Sequence, residues 1–271
     1  MKKKKGKVKR VKRRGITLVL SGGSAKGLAH IGVLEVLDKN KIPIKRVIGT
    51  SAGALVGGFY CAGKLDVIKN ISMQMSKKKI LKLFLALPTL RGLINTKKVD
   101  LLLKKYIEGI KIENLKTPFI AVAFDIKNGR KYMFDRGDLF KAIRSSIAIP
   151  GVFAPFEIGN SILVDGGVTD VVPIEVAKKF KDNDEIVVVN LETLPNIEIK
   201  NFNIFNIIDY ATSFGLAELA RLEEKDADVI IHPYTKVRKF DFYKAEEIIN
   251  EGRKATRKAI PMIKKKLKRR K

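Results

Sequence analysis

The chain is poor in several things that would have pointed to particular chemistries. It has one cysteine, Cys61, so no disulfide can form within it and no cysteine cluster can hold zinc. Cys61 sits in a run of small residues and reads as a core side chain in a protein of a reducing compartment. There are only two histidines, His30 and His232, which limits the general bases a nucleophile could use. Acids are scarce: 28 Asp and Glu stand against 55 Lys and Arg, giving a net charge of +27. No apolar run has the length or the flanks of a signal peptide or a membrane span; Ile16 to Leu20 is too short, and the run after Arg46 is broken by a polar turn and four glycines. A cytoplasmic protein, with peripheral contact to an anionic membrane surface, is the expectation. Specific nucleic-acid binding is not expected, because no aromatic-rich strand pair with interleaved Lys and Arg is present.

What is there is concentrated. The positive charge gathers at the ends: Met1 to Arg14 holds ten basic residues and no acid, and Pro261 to Lys271 holds seven and no acid. Without them the body carries +10. These tails are expected to be solvated and frayed, and to favour anionic surfaces. Between them, 271 residues at 45 % hydrophobic content suffice for one large core. Three parts are expected: a basic tail over 1–14, a main domain over 15–235, and a basic, helical extension over 236–271.

Buried-type strands alternate with helices. Gly15 to Leu20 is an apolar strand, followed by a glycine-rich loop and a helix over Leu28 to Lys39. Further strands are expected at Val47–Ile48, Pro118–Phe124, Ile162–Val164, Glu185–Asn190 and Asp228–Ile231, with a hairpin at Asn128-Gly129 returning through Tyr132–Phe134. Helices fall at Lys97–Tyr106, Leu139–Ser146, Ile174–Phe180, Asn206–Lys225 and most of Phe242–Lys268. Lys64 to Thr96 is less regular, though Ser76 to Leu87 reads as a short basic amphipathic helix suited to an interface or lid. The pattern predicts an α/β fold with a mostly parallel sheet.

Around Arg46 to Gly63 the reading becomes chemical. Gly49-Thr50-Ser51-Ala52-Gly53 is a G-x-S-x-G pattern between a short strand and a small-residue helix. Such a corner exposes a serine hydroxyl in a strained backbone, glycines two residues either side remove interfering Cβ atoms, and the helix N-terminus favours negative charge beside it. The earlier loop, Ser21-Gly22-Gly23-Ser24-Ala25-Lys26-Gly27, lacks the Gly-Lys-Ser/Thr ending of a P-loop and has Ser24 at the second glycine of a dinucleotide-binding loop. Small residues at a strand-to-helix loop instead suit an oxyanion hole. A serine needs a base. Two remain open: Asp165, delivered by an apolar strand and followed by Gly166 and Gly167, or His232, which completes a Ser-Asp-His order but sits before Pro233.

Taken together, the glycine loop with its basic residue, G-x-S-x-G and D-G-G resemble the patatin-like phospholipases, serine hydrolases of lipid acyl esters. Lys26 to Leu34 and Ser146 to Pro155 (SIAIPGVFAP) are similar to that family's flanking stretches. The resemblance runs from about Gly15 to Pro233. It implies a three-layer α/β/α sandwich with a nucleophile elbow, Ser51 and Asp165 as a catalytic dyad, and oxyanion donors at Gly22, Gly23 and Ser24. It also implies Lys26 in the place of the family's basic residue, Gly27, Gly49, Gly53, Gly166 and Gly167 in support, and no metal or cofactor. The substrate implied is a lipid or acyl ester. The family's third loop glycine is Ser24 here, which suits the hole where the local φ is negative. A silent binding module for anionic lipid or nucleic acid is the competing class.

Overall fold

In the computed structural model, residues 14–84, 96–180, 184–193 and 203–268 are described. The first thirteen residues of the basic tail and the last three residues lie outside them, as do residues 85–87 of the expected amphipathic helix.

Among the described residues eight strands form one sheet: β1 (Ile16–Leu20), β2 (Ile44–Thr50), β3 (Phe119–Asp125), β4 (Arg130–Phe134), β5 (Phe156–Ile158), β6 (Ser161–Asp165), β7 (Glu185–Val189) and β8 (Val229–Ile231). The order is β5-β6-β3-β2-β1-β7-β8, with β4 also on β3. β3, β2, β1, β7 and β8 run parallel, and their near-continuous Val, Ile and Leu reflects burial on both faces. One face, carrying Leu18, Leu20, Val47, Ala121 and Val187, packs on α1 (Ala29–Lys39), α2 (Ala52–Cys61), α6 (Leu139–Ser146) and α9 (Ala245–Lys268). The other, carrying Val19, Ile48, Ile120, Val122 and Val188, packs on α7 (Ile174–Lys179) and α8 (Ile204–Glu223). The result is an α/β/α sandwich. Cys61 is buried in the first layer, which pushes its thiol pKa up.

Beyond the expected hairpin β3–β4, turned at Gly129 with φ +63, there is a second one. β5 and β6 pair antiparallel around Gly159-Asn160, where the sequence reading had an apolar loop before a lone strand. Gly-Asn between Phe156-Glu157-Ile158 and Ser161–Asp165 is a legitimate hairpin signal, but strands so short carry little periodicity. Lys64 to Thr96, read as irregular, contains α3 (Leu65–Met73) and α4 (Lys77–Phe84), and α5 (Thr96–Ile107) begins at its end.

The hairpin places the site. β2 pairs with residues 119–122 of β3, and β6 pairs with residues 123–125. β4 occupies the opposite edge, so β2 and β6 lie end to end along the same edge. Thr50 is opposite Val122 and Asp165 opposite Ala123, which brings the end of β2 against the end of β6.

The C-terminal segment is not frayed as expected. Residues 261–268 continue α9, with Ile263 buried and Leu267 packed against the core. α9 lies along α1 through reciprocal glycines: a Cβ on Gly32 would strike the Ile249 carbonyl, and one on Gly252 the Ala29 carbonyl. Gly252→Ala is therefore expected to destabilise the fold by about 1–3 kcal/mol, the usual cost of overpacking. Urea unfolding measures it; an unchanged midpoint would show that the two helices separate freely.

Candidate active site

Ser51 stands where β2 turns into α2, with φ 55° and ψ −121°, a backbone state that a side chain rarely adopts. The flanking glycines are sterically required. A Cβ on Gly49 would meet the Gly53 carbonyl carbon at 2.5 Å, and one on Gly53 would strike the Leu20 carbonyl. The hydroxyl does not cap α2, so it is left for other work. The Ser51 N–H donates to Ser146 Oγ at 2.9 Å, and that hydroxyl donates to the Val122 carbonyl at 2.6 Å. Ser146 thus pins the strained residue to β3. It lies in the SIAIPGVFAP stretch, but nothing in its type or spacing announces the role.

Asp165 ends β6. Its Oδ1 accepts from the Gly167 N–H at 2.8 Å, and its own N–H donates to the Ala148 carbonyl at 2.9 Å, so the stretch from the end of α6 onward holds both candidates. Gly166 allows this packing, since a Cβ there would strike the Val122 carbonyl. Oδ2 is buried and has no hydrogen-bond partner among the described residues. Burial pushes the carboxyl up to about 7; the nearby Ser51 hydroxyl and the Gly167 N–H oppose this, and Glu192 adds to it. Burial raises Glu192 in turn, against the pull of Lys26 and Lys239. Lys26 thus lies within electrostatic reach of Glu192.

The glycine loop needs one correction. The Gly22 N–H donates to the Val171 carbonyl at 3.0 Å and is not free to bind an oxyanion. Gly22 lies beside the nucleophile candidate: a Cβ there would come to 3.6 Å from the Ser51 Cβ, an ordinary contact. The N–H groups of Gly23 and Ser24 have no acceptor among the described residues. A Cβ on Gly27 would strike the Ala52 side chain, so this glycine seats the loop against α2. Ser24 has φ +50°, not the negative value that serine prefers. Ser24→Gly is expected to stabilise the fold by up to about 1 kcal/mol and keep the loop's shape. A thermal melt that falls instead would mean the Ser24 side chain is worth more than the strain.

Residues 170–172 link the parts, a feature missed in the sequence. The Asp170 carbonyl accepts from Thr50 Oγ1 at 2.8 Å, Val171 holds Gly22, and the Val172 N–H donates to Glu223 Oε2 at 2.7 Å. The buried Asp170 carboxylate meets Lys131 at 3.0 Å and abuts Glu223. Burial and this neighbouring charge push the Glu223 pKa up.

Neither histidine is near this constellation in a base's position. His30 is fully buried, its Nε2 donating to the Ser21 carbonyl at 2.9 Å; burial pushes it down to about 4, so it is neutral and structural at pH 7. His232 follows β8, three strands from β2, about 14 Å at the usual strand spacing. It faces Glu224 at 3.4 Å, which raises its pKa. His232→Ala is expected to leave ester hydrolysis within about twofold; loss of activity in a folded variant would restore the triad.

The fold is an α/β/α sandwich with a strained serine at a strand-to-helix corner. The patatin-like phospholipase family model matches residues 18–178, and the chain belongs to that family. An uncharacterised NTE family protein of Mycobacterium tuberculosis is 38 % identical over 159 residues, 59 % of this chain and 44 % of its own length. The neuropathy target esterase of Drosophila melanogaster is 29 % identical over 167 residues, 59 % of this chain but 12 % of that protein. The chain thus matches less than half the length of these relatives. VipD of Legionella pneumophila has the same fold with a TM-score of 0.51 at 12 % identity, covering 93 % of this chain and 67 % of that one.

Proposed function

We propose that this chain hydrolyses fatty acyl esters of lipids, with Ser51 as nucleophile and Asp165 as its base. The observation that carries this reading is the meeting of a strained, uncapped serine with a buried carboxylate whose proton affinity is raised to about 7. An aspartate at its ordinary pKa is a feeble base; one near 7 is matched to neutral pH. In the proposed reaction Asp165 takes the Ser51 proton as Oγ attacks the acyl carbonyl. The N–H groups of Gly23 and Ser24, with the α2 N-terminus, stabilise the oxyanion. Collapse forms an acyl-serine and releases the alcohol, protonated from Asp165. Water, deprotonated by the same carboxylate, then frees the fatty acid and restores Ser51.

Relatives include a neuropathy target esterase and a lysophospholipase of Debaryomyces hansenii. They favour phospholipids or lysophospholipids as the substrate class and a carboxylic ester hydrolase as the enzyme class. The test is hydrolysis of p-nitrophenyl esters of graded chain length, followed by phospholipid vesicles. Turnover that rises with chain length supports the reading; no turnover of any ester contradicts it.

A further inference from the structure

We propose that the first three turns of α8 form the surface by which this chain docks on an anionic lipid bilayer, beside the mouth of the candidate active site. The proposal rests on the lipid-hydrolase reading above. From Leu216 onward α8 packs on the sheet through Leu216, Leu219 and Ala220. Before that its apolar side chains are largely exposed. Ile204, Ile207 and Ile208 are 46 to 62 % exposed and Phe214 is 43 % exposed. At 3.6 residues per turn these four fall within about 120° of the helix circumference. Asp209 lies on the opposite side, where it pairs with Lys239 at 2.5 Å. The polar side of the helix therefore meets the body, and the apolar stripe is turned away from it. Packing gives such a stripe no use, and exposed apolar patches mark interaction surfaces.

Its place and its surroundings name the occupant. The Lys239 carbonyl accepts from the Ala25 N–H of the glycine loop, so α8 is rooted at the rim of the site. Lys236 and Arg238 are exposed in the same segment. On the neighbouring rim α4 packs against the turn at Phe242–Lys244, which in turn packs on the glycine loop. α4 presents exposed Lys77, Lys78 and Lys79, with Lys77 over the Tyr243 ring at 4.8 Å. An apolar stripe with cations around it is complementary to an anionic bilayer: apolar side chains enter the interface while lysines meet the head groups. Docking there would set the mouth of the site against the membrane.

The test uses the full chain and co-sedimentation with vesicles of phosphatidylcholine, with and without phosphatidylserine. The double variant Ile207→Glu/Ile208→Glu is expected to bind the mixed vesicles at least about tenfold more weakly. Its ratio of vesicle-lipid to soluble-ester hydrolysis is expected to fall by a similar factor. Leu222→Glu, on an equally exposed residue at the far end of the same helix, is expected to bind as the parent does. Unchanged vesicle binding by the double variant overturns the proposal. So does a parent protein that sediments as a dimer while the double variant is monomeric and binds vesicles normally; the stripe would then join two copies. A parent that binds vesicles in this way but cleaves neither substrate leaves docking standing and removes the hydrolase reading alone.

Discussion

Ser51→Ala is expected to lower kcat for ester hydrolysis by about 10³- to 10⁶-fold, the range seen when a catalytic unit loses its nucleophile. The fold should survive. The hydroxyl makes no cap to α2, and alanine keeps the same backbone and the same N–H bond to Ser146. Ser51→Gly sharpens the point. Glycine adopts φ 55° without strain, so this variant should be equally inactive yet more stable by about 1–3 kcal/mol. A serine held where glycine would be more stable is the signature of a site that stores strain for function. Equal stability of the Gly and Ser forms, measured by denaturant unfolding, would remove that argument.

The second large effect belongs to Asp165. Asp165→Asn keeps the shape and an acceptor for the Gly167 N–H but cannot take a proton; kcat should fall by at least about 10³-fold. For the parent, log kcat/KM should rise with unit slope toward pH 7 and level off above it, because only the ionised carboxylate acts as a base. The same shift bears on stability. The folded-state pKa, about 7, lies above the ordinary carboxylate value of 3.8. Between these values the folded protein holds a proton that the unfolded chain has lost, so this group's contribution to stability falls as pH rises through the window and is constant above it. Asn removes that loss. Asp165→Asn should therefore be inactive and more stable at pH 8 by on the order of a few kcal/mol, with no gain at pH 4. A destabilised variant at both pH values would mean the carboxylate is held by more than the contacts described.

Much of this was legible in the sequence where the demand is local. Gly49, Ser51 and Gly53 declare their corner by their spacing, and the clash that Gly49 avoids is with Gly53, four positions away; the clash of Gly53 with Leu20 leaves no such local mark. Asn128-Gly129 declares its turn, and the parallel strands show as apolar runs. The glycine loop was only half legible. Its position is plain, but the loss of the Gly22 N–H to Val171 depends on a residue 149 positions along the chain. Ser146 escapes for the same reason: its bond to Ser51 spans 95 residues and leaves no pattern. The Asp170–Glu223 pair joins a loop to a helix in another layer, and each acid alone looks like a surface residue. The β5–β6 hairpin was missed because its strands are too short to show a period, yet it delivers Asp165 to the end of β2.

The central claim is that Ser51 is activated by Asp165, and covalent labelling tests it most directly. A fluorophosphonate probe, followed by peptide mapping, should place one adduct on Ser51 in the parent. It should label His232→Ala at the parent rate, Asp165→Asn far more slowly, and Ser51→Ala not at all. An adduct on another residue, or labelling of Ser51 that is indifferent to Asp165, would contradict the account.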